Sequence, residues 1–303
     1  MKLHMTASRS QEQFYFWMLV TPCLIGFLWF TAGPMAVSLW WSFTTYNVID
    51  PPVWLGFDNY SYLVLHDPAF WPSVRVTVVY TVFAVPGGLL ISTAVALLLN
   101  QPVRSRALLR TIYFLPTILP AAASAVIWVW IFSPTGGLLN NMLESVGIRG
   151  PAWTHSPHWA LPAMIIMSLW GFGGAMVIVL ARLQDVPRQL YEAAMLDGAN
   201  AWQRFRHVTL PQISPVLFFN LVMGTIGAMK VFDQAFMFGA ASGQVPGGPA
   251  RATLFYVLNL YQKAFTYFHF GLASAMAWML FAAILAITLF NFYAAKRWVH
   301  YEN

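Results

Sequence analysis

Six stretches of this chain are long and apolar enough to cross a bilayer, and nothing else in the sequence restricts its folding as much. A membrane-crossing helix needs about 20 mostly apolar residues. Runs of that kind fall at about 14–40, 74–99, 111–132, 159–181, 215–238 and 271–293. Composition agrees, because only 9% of the 303 residues are charged, against about 25% in a soluble domain. So few charges cannot coat a water-soluble globule. The same figures exclude disordered, collagen-like and disulfide-stapled chains. The expectation is an all-α integral membrane protein, a single transmembrane domain over residues 1–303 with six helices.

The first run follows a polar stretch, 1–13, and is longer than the 7–15-residue apolar core of a signal peptide, so it is read as a retained span. The charge bias then orients the bundle. With the N-terminus inside, the inner segments hold Lys2, Arg9, Arg104, Arg106, Arg110, Arg182, Arg188, Arg204, Arg206, Lys296 and Arg297, or 11 of 16 Lys and Arg. Arg75, Arg149, Arg251 and Lys263 fall outside, and Lys230 falls within a span. Both termini are expected in the cytoplasm. Membrane topology accounts for the net charge of +6, so no nucleic-acid partner is expected. Cys23 lies in the first run without a second cysteine to pair with, which fits a small packing residue.

Several spans carry helix-disturbing residues: Pro86-Gly87-Gly88, Pro116 and Pro120, and Gly171 with Gly173-Gly174. In a bilayer such breaks survive where neighbouring helices or a water-filled cavity satisfy the freed backbone groups. They suit either close helix packing or a bundle that encloses a pathway.

The loop between the fourth and fifth runs, 182–214, reads as two short helices and holds seven of the 26 charges. Pro187 suits a first helical turn, and Gly198 supplies a stop. Asn200 with Gln203 resembles a second N-terminal cap, and Pro211 is expected to end that element. Leu190, Ala193 and Ala194 fall at i, i+3 and i+4, a narrow apolar ridge flanked by charge. It fits a groove on another protein or the chain's own bundle.

Glu192-Ala193-Ala194, then Gly198, then Leu210-Pro211 resembles the EAA motif of permease subunits in binding-protein-dependent ABC importers. The one departure is Val208 where the pattern has isoleucine. The likeness covers nearly the whole chain and is similar to the carbohydrate branch, maltose and glycerol-phosphate types. Segments 55–60 with 67–70, and 132–134 with 137–140, look like that branch's outer loops. Pro246-Gly247-Gly248-Pro249 looks like its loop that meets the solute-binding protein.

The resemblance implies a type I importer permease in the bacterial inner membrane. Tyr191, Glu192, Ala193, Ala194, Asp197 and Gly198 would form a coupling helix, 191–198, docked on an ATP-hydrolysing subunit. The implied partners are a second homologous permease, two ATP-binding subunits and an extracytoplasmic solute-binding protein. The carbohydrate would cross by alternating access. The resemblance also implies substrate contacts at Trp170, Gly171 and Gly174 on span four and Gly227, Lys230, Val231 and Gln234 on span five.

None of the four lysines completes a G-x-x-x-x-G-K-[ST] phosphate loop, so this chain is expected to bind no cofactor itself, with ATP and Mg on partner subunits. His155 and His158 lack further clustered ligands, so no metal site is expected. Ser242 misses an intramembrane protease pattern, and enzyme chemistry is not expected. Charges within a span default to function. Lys230, Asp233 and Gln234 are expected at i, i+3 and i+4 on one helical face, either as a structural ion pair or as a polar cavity wall. The alternative from another class is a gradient-driven secondary carrier with Lys230 and Asp233 as an ion relay.

Overall fold

The computed structural model describes residues 9–102 and 104–300. Lys2 and His4 lie outside the described residues, as do the side chains of residues 9–11, Arg9 among them. Contacts divide the chain into two units, Met1–Leu65 with Lys263–Met279 and His66–Gln262 with Leu280–Asn303.

In the first unit, α1 (Arg9–Phe27) passes through a π-turn, Leu28–Ala32, into α2 (Gly33–Trp41). The 30-residue rod Glu12–Trp41 is long and apolar enough to span a membrane, in agreement with the first run. Its large side chains are bare, with Trp29 75% and Phe30 79% exposed. Such a surface is stable only against lipid or another apolar chain. After it, β1 (Thr44–Thr45) pairs antiparallel with β2 (Val53–Trp54), and α3 (Asp58–Leu65) follows. Buried Asn59 ties these pieces together by donating to the Ser42 and Thr44 carbonyls, each at 2.9 Å.

The second unit is built around α4 (Phe70–Asn100), which packs on helices of spans four and five. Its Pro86-Gly87-Gly88 causes no break. Gly87 instead admits Leu169, whose Cδ2 would stand 2.9 Å from an added Cβ. Next come α5 (Arg106–Phe114), a 3-10 turn, Leu115–Ile118, and α6 (Ala121–Ile131). The third run was expected to be one helix and is a pair bent by 100°. Pro120 has no N–H and forces Leu119 into extended backbone, ψ 134°.

Then follow α7 (Leu138–Ser145), α8 (Ala160–Leu169), α9 (Gly173–Asp185), α10 (Arg188–Leu196), α11 (Ala201–Arg204), α12 (Leu210–Met229), α13 (Asp233–Ala241) and α14 (Tyr256–Tyr261). α15 (Phe270–Ala295) begins in the first unit and ends in the second. Among the described residues, five helical stretches meet the length and hydropathy of a span, and the bent pair makes six.

Pro211 does not end the second loop helix. A π-turn over Phe205–Thr209 carries α11 into α12, with the Leu210 N–H bonded to the Phe205 carbonyl. Pro211 thus directly follows the π-turn, inside a continuous helical run. Span four is interrupted by a turn at 170–172 and span five by Lys230, Val231 and Phe232. The fifth run is therefore two helices, α12 and α13.

Two of the packed clusters in the second unit lie along α4. One gathers Val76, Tyr80, Ala163, Met164, Met167, Ala228 and Phe238 with their neighbours. The other gathers Ala96, Leu99, Met176, Val179, Leu180, Leu183 and Ile213. α4, α8–α9 and α12 each contribute to both.

Candidate functional site

Between those clusters, at mid-helix, lies a cavity of about 470 Å³. On α4 the lining runs from Tyr80 to Leu89, on spans four and five from Ser168 to Ala175 and from Asn220 to Gln234, with Ala121 opposite. Three interruptions of the apolar helices open here. Ala121 follows the bend at Pro120, Gly171 and Phe172 form the span-four turn, and Lys230, Val231 and Phe232 form the span-five break. Irregular backbone inside a membrane persists where it borders a cavity or is buried in protein. The first turns of α6, α9 and α13 meet the space, so unpaired N–H groups and the positive ends of three helix dipoles border it.

The break changes the geometry expected of the charged residues. Lys230 caps the end of α12, with φ −106° and ψ 16°, while Asp233 opens α13 after Phe232 at φ −134°. Lys230, Asp233 and Gln234 therefore do not share one helical face. They line the cavity all the same, together with Gly171, Gly227 and Val231. Trp170 and Gly174 are not among the lining residues. The Trp170 ring meets Trp128 edge to face at 5.8 Å, and Gly174 borders open space.

The glycines divide by role. An added Cβ at Gly173 would come 2.3 Å from the Tyr113 carbonyl oxygen, so this glycine lets α9 press against the α5 backbone. Gly227 has no atom within 4 Å of such a Cβ and keeps the cavity wide.

Asn220 is the residue that sequence reasoning missed. It is buried on α12, lines the cavity, and its Nδ2 has no hydrogen-bond partner in the chain. An unsatisfied buried amide costs about 1–3 kcal/mol, and a polar solute in the cavity would relieve it. The usable signal was a lone asparagine inside an apolar span. Tyr80 and Ser168 add hydroxyls to the same wall. The chemistry on offer is one ammonium, one carboxylate, two amides and aromatic faces, a lining that suits a polar solute with several hydroxyls.

The loop after span four forms the other candidate region. Pro187 occupies the N-cap of α10, one position earlier than expected, and the helix ends at Leu196 rather than Gly198. Its C-terminus is a Schellman motif. Gly198 has φ 78° and donates to the Met195 carbonyl at 3.0 Å, and Ala199 donates to that of Ala194 at 2.9 Å. Asn200 and Gln203 then form the expected capping box, with bonds of 2.8 and 2.9 Å.

Tyr191 faces inward, its hydroxyl 3.1 Å from that of Thr209. Arg182 braces the base by donating to both the carbonyl and the side chain of Gln212. The opposite side is open: Glu192, Ala193, Asp197 and Gly198 are exposed, as are Met195 (49%) and Leu196 (90%). Ala194 is half-buried.

Comparison with known proteins accords with this layout. The chain is 41% identical over 286 residues, 94% of its own length and 91% of the other's, to a protein of Bacillus subtilis (strain 168) described as probable ABC transporter permease protein YesP. It is 32% identical over 89% of its length and 87% of the other's to the sulfoquinovosyl glycerol transport system permease protein SmoG of Agrobacterium fabrum. In fold it is similar to a chain of a bacterial ABC transporter involved in the import of the acidic polysaccharide alginate, with a TM-score of 0.81 and 24% identity over 94% of this chain and 96% of that one. A family profile matches residues 84–299, which take in the loop helix and most of the cavity lining, Tyr80 excepted. The chain belongs to the family of binding-protein-dependent transport system inner membrane components.

Proposed function

We propose that this chain is one permease of an ATP-driven ABC importer for a sugar or glycoside, and that α10 is its coupling helix. The supporting observation is a short helix capped at its end, tied to the following π-turn through Tyr191 and Thr209, and bare on its outer side. Leu190 and Met195 are exposed there, and Leu196 is almost wholly so. Three apolar side chains bared together on one short helix, rimmed by charge, suit an interaction surface. Glu192 stands among them and would meet a cationic group in the cleft of an ATP-binding subunit. Two such subunits, carrying ATP and Mg, would close on hydrolysis cycles and rock two homologous permeases between outward- and inward-facing states. The termini then lie in the cytoplasm, and a solute-binding protein delivers cargo on the far side.

The cavity is the proposed transit site. Gln234 and Asn220 would bond hydroxyls, Tyr80 and Phe172 would cover apolar sugar faces, and Lys230 would favour an anionic group on the solute. The sulfoquinovosyl glycerol permease among its relatives supports the glycoside class. A gradient-driven carrier with Lys230 and Asp233 as an ion relay would need no coupling helix, and the bare outer side of α10 favours the importer.

The test is co-purification and uptake. The detergent-extracted chain is expected to bring a phosphate-loop ATPase with it, and Glu192→Lys is expected to release that subunit and stop ATP-dependent uptake. Solute accumulation in vesicles holding this polypeptide alone would refute the proposal. Competition between a neutral disaccharide and an anionic glycoside, in wild type and Lys230→Met, would show which solute the ammonium serves.

A further inference from the structure

A second, larger recess of about 1140 Å³ lies between the early turns of α4 and α8. On α4 its wall is Pro72, Val76, Val79 and Phe83, at i, i+4, i+7 and i+11, so one stripe faces the groove. Leu161, Pro162, Ile165 and Ile166 form the matching stripe on α8. From Arg75 to Phe83 the groove runs about 12 Å along a spanning helix, at 1.5 Å per residue.

The mouth is different in kind. Arg75, His158 and Arg251 gather there, within a turn or two of where α4 begins. Arg75 and Arg251 are two of the few cations on this half of the sequence's charge map, and both are exposed. Arg251 is held in place: it donates to the Pro68 carbonyl at 2.7 Å. It also sits with Ala250 in left-handed backbone, at φ 63° and 50°. A guanidinium has five N–H donors, so this one bond leaves others for an anion. Trp71 borders the same mouth, 56% exposed, as aromatic side chains do at a membrane–water boundary.

An occupant must be anionic at the mouth and apolar for the length of the groove. At membrane depth, extended peptide would carry unsatisfied backbone groups, and sugar hydroxyls would find no partners along these walls. We infer that this groove is a binding site for an anionic phospholipid, with its phosphate between Arg75 and Arg251 and an acyl chain lying along Val76, Val79 and Phe83. The occupant is drawn from the surrounding bilayer, and the site is separate from the mid-span cavity.

The experiment uses the full chain in its assembled complex, extracted into nanodiscs of phosphatidylglycerol and phosphatidylcholine and read by native mass spectrometry. Wild type is expected to retain phosphatidylglycerol over phosphatidylcholine. Removing one guanidinium, by Arg75→Gln or Arg251→Gln, is expected to cut that preference about five-fold, and both together roughly 25-fold. Val79→Trp should block the groove and lower retention of both lipids without touching the charges. A photo-cross-linking side chain at position 79 should capture lipid. Equal retention of the two lipids by wild type, unchanged preference in the double variant, or capture of another polypeptide at position 79 would each overturn the inference.

Discussion

The loop helix and the mid-span cavity are both candidate functional regions, but they are specified over different ranges of sequence. α10 and the start of α11 are closed by bonds between residues at most five apart: Gly198 to Met195 and Ala199 to Ala194 end α10, and Asn200 with Gln203, in both directions, opens α11. The cavity is closed by residues about 150 positions apart, Tyr80 at one extreme and Gln234 at the other, and by breaks in three separate spans. A locally specified device should fail through its caps. A device built by convergence should fail when its volume or its packing changes.

Gly198→Pro gives the largest expected effect. Proline cannot adopt φ 78° and also removes the N–H bonded to Met195. Left-handed strain and a lost hydrogen bond together correspond to roughly a 100-fold fall in coupling. ATP-dependent uptake by the reconstituted complex reads it, with span content checked by circular dichroism; wild-type rates would break the contrast.

The paired glycines come next. Gly227→Leu grows into open space, so uptake is expected to fall about ten-fold while membrane yield stays level. Gly173→Ala would force its Cβ against the Tyr113 carbonyl, with an overpacking cost of about 1–3 kcal/mol. Yield and melting temperature, rather than solute affinity, should drop. Reversed outcomes would mean that the two glycines have exchanged roles.

Asn220→Leu sharpens the cavity reading further. Replacing the unpaired amide with an apolar side chain is expected to leave melting unchanged or raise it, and to weaken solute affinity by about five-fold. Competition uptake measures the affinity. A fall in stability would mean that Asn220 serves the fold. The smallest effect is expected from Asn200→Ala, which loses the capping box at a cost of about 1 kcal/mol. ATPase stimulation by the complex should soften only a few-fold, and Asn200→Ser should restore most of it.

The same division explains what could be read in advance. The six apolar runs, the capping box and the glycine stop were visible because each depends on local spacing and on what a bilayer tolerates. The 100° bend could have been weighed from Pro116 and Pro120. Its direction could not, because that depends on what α6 packs against. The common face of Lys230, Asp233 and Gln234 assumed an unbroken helix, and no proline or glycine between Lys230 and Asp233 announces the interruption. Asn220 was passed over because one amide in an apolar helix signals nothing until its neighbours leave it unpaired.

The sequence by itself determined that this chain lives in a membrane, roughly where its apolar spans fall, and which loop is stiffened by its own caps. Those outcomes follow from transfer energies and backbone hydrogen bonding over a few residues. Only the tertiary structure decided which glycines pack and which make room, that Trp170 turns to Trp128, and that three helix interruptions meet in one cavity. Such features depend on contacts between distant segments, and the shape of a packed interior is fixed by all of its neighbours at once.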